Sequence, residues 1–202
     1  LDSSVCDCCQ TSITNTDKGP VVIYRDRSDI EIRDIYVTRN INDEWETPVP
    51  VYTDEWEIYG CPVNGPKVVS NSNNLAVSWF TVADGKPSVN LSFSESYGSS
   101  FNNPIKINDY TAIGRVDVAF LNDSEVMVSY MEVDDVGTYL RLKKVSIDGK
   151  VSEPITISKI DSGRNTGVPQ LEILENEIYI VWTVFKNENN QLKTVRLSSK
   201  DF

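Results

Sequence analysis

Runs of β-branched and aromatic residues, broken at short intervals by Asn, Asp and Gly, dominate the chain. Val21-Val22-Ile23-Tyr24, Leu75-Ala76-Val77-Ser78-Trp79, Val126-Met127-Val128-Ser129-Tyr130 and Ile178-Tyr179-Ile180-Val181-Trp182 all have strand character. Turn-forming clusters separate such runs: Asn71-Ser72-Asn73-Asn74, Ala83-Asp84-Gly85, Asp148-Gly149 and the stretch 187–190. No stretch carries apolar residues at helical spacing, so the pattern predicts an all-β chain.

The four runs end on aromatics at Tyr24, Trp79, Tyr130 and Trp182, spaced 55, 51 and 52 residues apart. A period near fifty in an all-β sequence predicts β-propeller blades, each a four-stranded antiparallel sheet. The second repeat reads, from the innermost strand outward, as 67–70, 75–82, 89–94 and 105–107. The third reads as 116–121, 126–132, 139–146 and 155–158. The blades are expected over residues 9–53, 61–107, 113–158 and 165–202, within a single partial propeller domain.

Ser94-Glu95-Ser96-Tyr97-Gly98-Ser99-Ser100-Phe101 falls between the third and fourth strands of its repeat. It resembles an Asp-box, whose pattern is Ser-x-Asp-x-Gly-x-Thr-Phe/Trp, with Ser in place of the Asp. Thr38-Arg39-Asn40-Ile41-Asn42-Asp43-Glu44-Trp45 has the same eight-residue frame, and Ser199-Lys200-Asp201-Phe202 resembles the opening of a third copy. A short polar side chain would cap such a turn, Gly or Asn would take positive φ, and the aromatic would staple the hairpin to its sheet. On these segments the chain resembles the sialidase-like, BNR/Asp-box repeat β-propellers. The resemblance implies a ring of six blades. About four are counted here, so the chain is expected to be the C-terminal part of such a ring, with a separate N-terminal segment or chain completing it.

Composition narrows the function. The net charge is −11, with no basic stripe, which argues against nucleic acid as a partner. No apolar run approaches the length needed to cross a bilayer as a helix. Histidine is absent, so acid–base chemistry would fall to Asp, Glu or Tyr and any transition-metal site to thiolates. The chain opens on Leu1, which leads to the expectation of a processed form of an exported protein, periplasmic, outer-membrane-associated or secreted.

The cysteines share a position in the repeat. Cys6 lies 18 residues before Tyr24, and Cys61 lies 18 before Trp79. Cys9, Asn64, Arg115 and Gly167 each lie 15 before their own aromatic. Innermost strands line a propeller's channel, so these residues are expected to gather at one mouth of it. Three readings of Cys6, Cys8, Cys9 and Cys61 stand side by side. The even number fits disulfides, with Cys61 bonded to one of the cluster and not Cys8 to Cys9. Cys-x-Cys-Cys with a distant fourth also fits a thiolate site for Cu(I), Zn(II) or an iron–sulfur cluster. A reactive free thiol is the third.

Sialidases, as the resemblance implies, hold the substrate carboxylate with three arginines and use a Tyr–Glu nucleophile pair and an Asp acid/base. Arg25, Arg33, Arg115 and Arg164 are the arginine candidates, with Asp26, Asp34 and Asp117 beside them. Arg25-Asp26 and Arg33-Asp34 read better as cross-strand ion pairs. Arg115 opens an innermost strand, and with Asn64 and Asp117 forms the candidate ligand-binding set. Glu132-Val133-Asp134-Asp135 and Asn122-Asp123-Ser124-Glu125 read as solvated turns rather than calcium loops. Trp45 and Trp56 read as staples. No combination of residues reproduces the family's catalytic pattern. The expectation is therefore a non-catalytic propeller binding a glycan or protein partner at the channel mouth, as part of a cell-envelope complex. A sialidase-type hydrolase and a copper or zinc protein are the alternatives.

Overall fold

The computed structural model describes residues 1–186 and 189–202, so half of the turn expected at 187–190 lies outside the described residues. The fold is a partial β-propeller of four antiparallel sheets. The first holds β1 (Ser12–Thr16), β2 (Gly19–Arg25), β3 (Ile35–Ile41), β4 (Glu44–Trp45) and β5 (Val49–Tyr52), the last two both pairing with β3. The second runs β6 (Lys67–Asn71), β7 (Asn74–Thr81), β8 (Ser88–Ser94) and β9 (Ile105–Lys106). The third runs β10 (Thr111–Asn122), β11 (Glu125–Asp134), β12 (Gly137–Ser146) and β13 (Ile155–Lys159). The last has three strands, β14 (Gln170–Leu174), β15 (Glu177–Lys186) and β16 (Asn189–Ser198).

The first strand of each sheet lies against the first strand of the next, β1 on β6, β6 on β10 and β10 on β14. These are the channel-lining strands. The apolar core consists of three layers, one between each consecutive pair of sheets. Strand alternation divides β7 between two of them: Leu75, Val77 and Trp79 face the first sheet, while Ala76 and Phe80 face the third. A strand buried on both faces needs apolar residues at successive positions, which is why the runs in β7 and β11 read as continuous hydrophobic stretches. Their aromatics are all buried.

The first Asp-box-like segment is a turn between β8 and β9. Ser94 Oγ accepts the N–H groups of Gly98 at 2.9 Å and Ser96 at 3.2 Å, and Gly98 takes φ +80°. Phe101 packs against the layer between the first two sheets. The second segment behaves differently. Asn42 and Asp43, both at positive φ, turn a tight hairpin between β3 and β4, and Trp45 is left exposed. The two-strand pairing of Asn40 with Trp45 turns that ring away from the core, so it staples nothing. At the end of the chain, Ser198 Oγ accepts the Lys200 N–H, and Phe202 packs on the layer between the third and fourth sheets.

Candidate functional site

The entrances to the innermost strands converge on one mouth of the channel. Gln10 precedes β1, Cys61 to Asn64 precede β6, Ile113 and Arg115 sit in β10, and Gly167 and Val168 precede β14; together they line one cavity of about 290 Å³. Three positions at this mouth have left-handed backbone: Val63 at φ +51°, Arg115 at φ +52° and Gly167 at φ +65°. A β-branched residue in that region is strained. Val63 lies 16 residues before its aromatic and Arg115 and Gly167 lie 15 before theirs, so the conformation marks the entrances of the second, third and fourth blades. Only Arg115 puts a charge on it.

Arg115 is held there by Asn64. The pairing of β10 with β11 shifts register between Ala112 and Asp117, a bulge that re-aims the side chains within it. Asn64 Oδ1 accepts the Arg115 N–H at 2.8 Å, and its Nδ2 donates to Ile113 O at 3.1 Å. At Gly114, φ +88°, a Cβ would sit 2.5 Å from Asn64 Oδ1, so no side chain fits between the two. The Arg115 guanidinium donates from Nη2 to the carbonyls of Gly163 at 2.9 Å and Ser162 at 3.2 Å, while its Nη1 is buried with no partner among the described residues. Burial lowers its pKa and the nearby Asp161 opposes that effect.

Asp117 lies deeper. Its Oδ1 accepts the Val118 N–H, its Oδ2 accepts the Leu171 N–H at 2.9 Å, and Lys67 Nζ stands 3.7 Å from Oδ2. One carboxylate thus ties the innermost strands of three sheets together, and it does not line the mouth cavity. Burial raises its pKa.

The other candidates occupy structural positions. Arg25 donates to three carbonyls: Asn64 O at 3.0 Å, Arg33 O at 2.6 Å and Phe80 O at 2.6 Å. Its guanidinium lies 4.9 Å from the centroid of the buried Trp56 ring. Arg33 pairs with Glu31 at 2.6 Å, and Asp34 accepts the N–H groups of Glu55 and Trp56. The expected cross-strand pairs Arg25–Asp26 and Arg33–Asp34 are therefore replaced, because main-chain carbonyls and Glu31 reach the guanidinium groups first. Asp26 lies beside Asp2, whose Oδ2 accepts from Tyr24 at 2.5 Å. The Arg164 side chain lies outside the described residues.

All four cysteines are bonded, Cys6 to Cys9 and Cys8 to Cys61, with Cα–Cα distances of 5.5 and 6.2 Å. In this paired form there is no free thiol and no thiolate. Cys8–Cys61 joins the entrance of the first blade to that of the second, on the rim of the mouth.

Two features escaped the sequence reading. Glu132 is fully buried: its Oε2 accepts the N–H groups of Asp109 and Tyr110, and Arg141 Nε stands 3.3 Å from its Oε1. Lys143, also buried, bridges Ile107 O and Asp109 at 2.8 Å each. Together they fasten the second blade to the third. Glu132 is therefore a buried clamp rather than part of a solvated turn, while Asn122, Asp123 and Ser124 are exposed as expected.

The acids divide into two groups with opposite pH behaviour. Burial raises the pKa values of Asp26, Asp34, Asp54 and Asp117 above 3.8. Hydrogen bonds from Lys150 hold Asp148 at about 2, and those from Asn122 and Lys144 lower Glu125. In the window just above the ordinary aspartate value, the folded chain binds more protons than the unfolded chain at these four acids. Stability therefore rises as pH falls through their folded pKa values. The paired surface acids lose their contribution at lower pH still. The expected outcome is a denaturation midpoint that rises as the pH is lowered from 7.5 toward the ordinary aspartate value and falls again below it. A midpoint that declines steadily from pH 7.5 downward in urea titrations would contradict this assignment.

No protein-family model and no curated protein sequence matches the chain. Solved structures do. The phage phi92 endosialidase superposes with a TM-score of 0.69 at 12% identity, covering 94% of this chain and 35% of that one. The Hadza microbial sialidase Hz136 gives 0.61 at 16% identity, covering 94% and 44%. The xylan beta-1,4-xylosidase from Bacillus halodurans C-125 gives 0.57 at 15% identity, covering 95% and 40%. The chain spans less than half the length of each, and the likeness is one of fold.

Proposed function

We propose that this propeller binds an acidic glycan at the channel mouth, without cleaving it, and that Arg115 takes the sugar carboxylate. The observation that carries the reading is the Arg115 guanidinium, which lines a cavity shared by successive blades and whose buried Nη1 has no hydrogen-bond partner among the described residues. A planar guanidinium recognises a carboxylate through paired hydrogen bonds. Gln10, whose Oε1 accepts the Gly65 N–H, lines the same cavity, and its Nε2 is a donor of the kind that meets sugar hydroxyls. The structural neighbours named as sialidases and xylosidase add support for a carbohydrate ligand.

Hydrolysis is the weaker reading. Glycosidases in general flank the scissile bond with two carboxyl groups, or use a tyrosine nucleophile in sialidases. Among the described residues, the cavity lining has no Asp, Glu or Tyr. The two disulfides favour an oxidising, exported setting. Among the described residues no helix is long and apolar enough to cross a membrane.

Calorimetric titration with sialylated and uronate-containing oligosaccharides, against neutral counterparts, tests the proposal. Arg115→Ala is expected to weaken binding of the acidic sugar about tenfold or more, the scale of one charge-assisted hydrogen bond. Neutral sugars should be unaffected. Equal affinity for acidic and neutral ligands, or turnover of a sialoside, would remove the proposal.

A further inference from the structure

The sulfur atoms of Cys6, Cys8 and Cys9 all lie within 4.8 Å of one another, and that of Cys61 is bonded to that of Cys8. Four sulfurs from two entrance segments therefore occupy one place. The two sulfurs of Cys6 and Cys8, which are not bonded to each other, are 3.7 Å apart. Cross-linking explains only half of this. Cys8–Cys61 spans 53 residues of sequence, whereas Cys6–Cys9 spans 3 and constrains the unfolded chain less. A tetrahedron of thiolates about 2.3 Å from a zinc ion has edges of about 3.8 Å, which matches the spacing of the unbonded pair. Arg33, 4% exposed, points Nη1 at Cys6 Sγ from 3.5 Å. Glu31 holds that guanidinium in place from its other edge. A fixed cation at this distance favours thiolate over thiol.

We propose that the reduced form of this four-sulfur cluster is a binding site for a thiophilic d¹⁰ cation, zinc(II) or copper(I). Each disulfide is reduced to two thiols, either by a dithiol that gives two electrons and two protons and becomes a disulfide, or by a phosphine that gives two electrons and takes the oxygen of a water molecule, whose two protons go to the thiols. Zinc(II) then displaces four thiol protons to give a tetrathiolate, and copper(I) displaces three from Cys6, Cys8 and Cys9. Oxidation and metal binding compete for the same sulfurs, so a bound cation protects the thiols and disulfide formation expels the cation. The all-sulfur donor set suits soft ions and gives no purchase to magnesium or calcium.

The test uses the full chain, reduced without oxygen by a phosphine, with four free thiols confirmed by alkylation and mass. Zinc(II) is titrated against a chromophoric chelator, and copper(I) separately against bicinchoninate. One ion per chain is expected, with the cysteines shielded from alkylation and at least a tenfold loss of affinity in Cys61→Ser for zinc and in Cys9→Ser for both ions. Circular dichroism on the reduced chain, before and after metal, covers the case in which reduction unfolds it. Recovery of the strand signal on adding one equivalent supports the site. No stoichiometric uptake by either ion, or uptake unchanged in both serine variants, overturns it. Glycan binding is measured on the oxidised protein, so failure of either proposal leaves the other standing.

Discussion

Replacing Arg25 by leucine is expected to destabilise the fold by about 3–5 kcal/mol, the range for breaking up a buried charge and its acceptors. Arg25 is 1% exposed, and among the described residues no other side chain donates to the carbonyls of Arg33 and Phe80. Leucine would fill most of the space yet leave three carbonyls, including that of Asn64, without those bonds. Arg25→Lys keeps the charge but cannot present a planar fork to three acceptors, so it should recover only part of the loss. The consequence reaches the mouth, because the Asn64 carbonyl that Arg25 holds belongs to the residue whose side chain positions Arg115. Urea unfolding gives the stability change, and acidic-sugar affinity of whatever remains folded gives the second readout. A change below 1 kcal/mol would mean that water or neighbouring groups satisfy those carbonyls, and the clamp assignment would fall.

The propeller was legible in the sequence because its repeat is written in the most buried positions. Tyr24, Trp79, Tyr130 and Trp182 are between 0% and 6% exposed, and such sites cannot drift without a cavity or a clash. The same frame aligned Cys9, Asn64, Arg115 and Gly167, and the structure places Asn64, Arg115 and Gly167 around one cavity next to Gln10. What stayed hidden depends on partners far away in sequence. Glu132 and Lys143 look like solvent-facing charges in a strand until Arg141 and Asp109 are seen beside them. Arg25 reads as half of an ion pair, since main-chain carbonyls leave no signature in composition. Trp45 carries the right residue type in the right frame, yet a two-residue turn at Asn42 and Asp43 points it outward. Cysteine pairing is invisible for a related reason: spacing shows that four sulfurs can meet but not which bond forms.

The second large effect belongs to that pairing. Cys8→Ser with Cys61→Ser is expected to cost about 4 kcal/mol, because closing a loop of this length removes that much entropy from the unfolded chain. The bridge spans 53 residues, nearly one whole blade, and joins two consecutive blade entrances. Cys6→Ser with Cys9→Ser closes a separation of only 3 and should cost about half as much. In thermal unfolding the first pair should lower the midpoint by about 8–16 °C, since each kcal/mol shifts a domain of this size by roughly 2–4 °C. The contrast separates two roles for the cluster. If the sulfurs serve only as staples, the two losses should follow loop length in the oxidised protein and vanish under reduction. If the reduced sulfurs also hold a cation, adding zinc to the reduced wild-type chain should restore a link between the same two segments. Its unfolding midpoint should then recover toward the oxidised value, while the Cys8/Cys61 variant gains little. Identical midpoints for the wild type and both double variants under oxidising conditions would show that neither bridge constrains the fold.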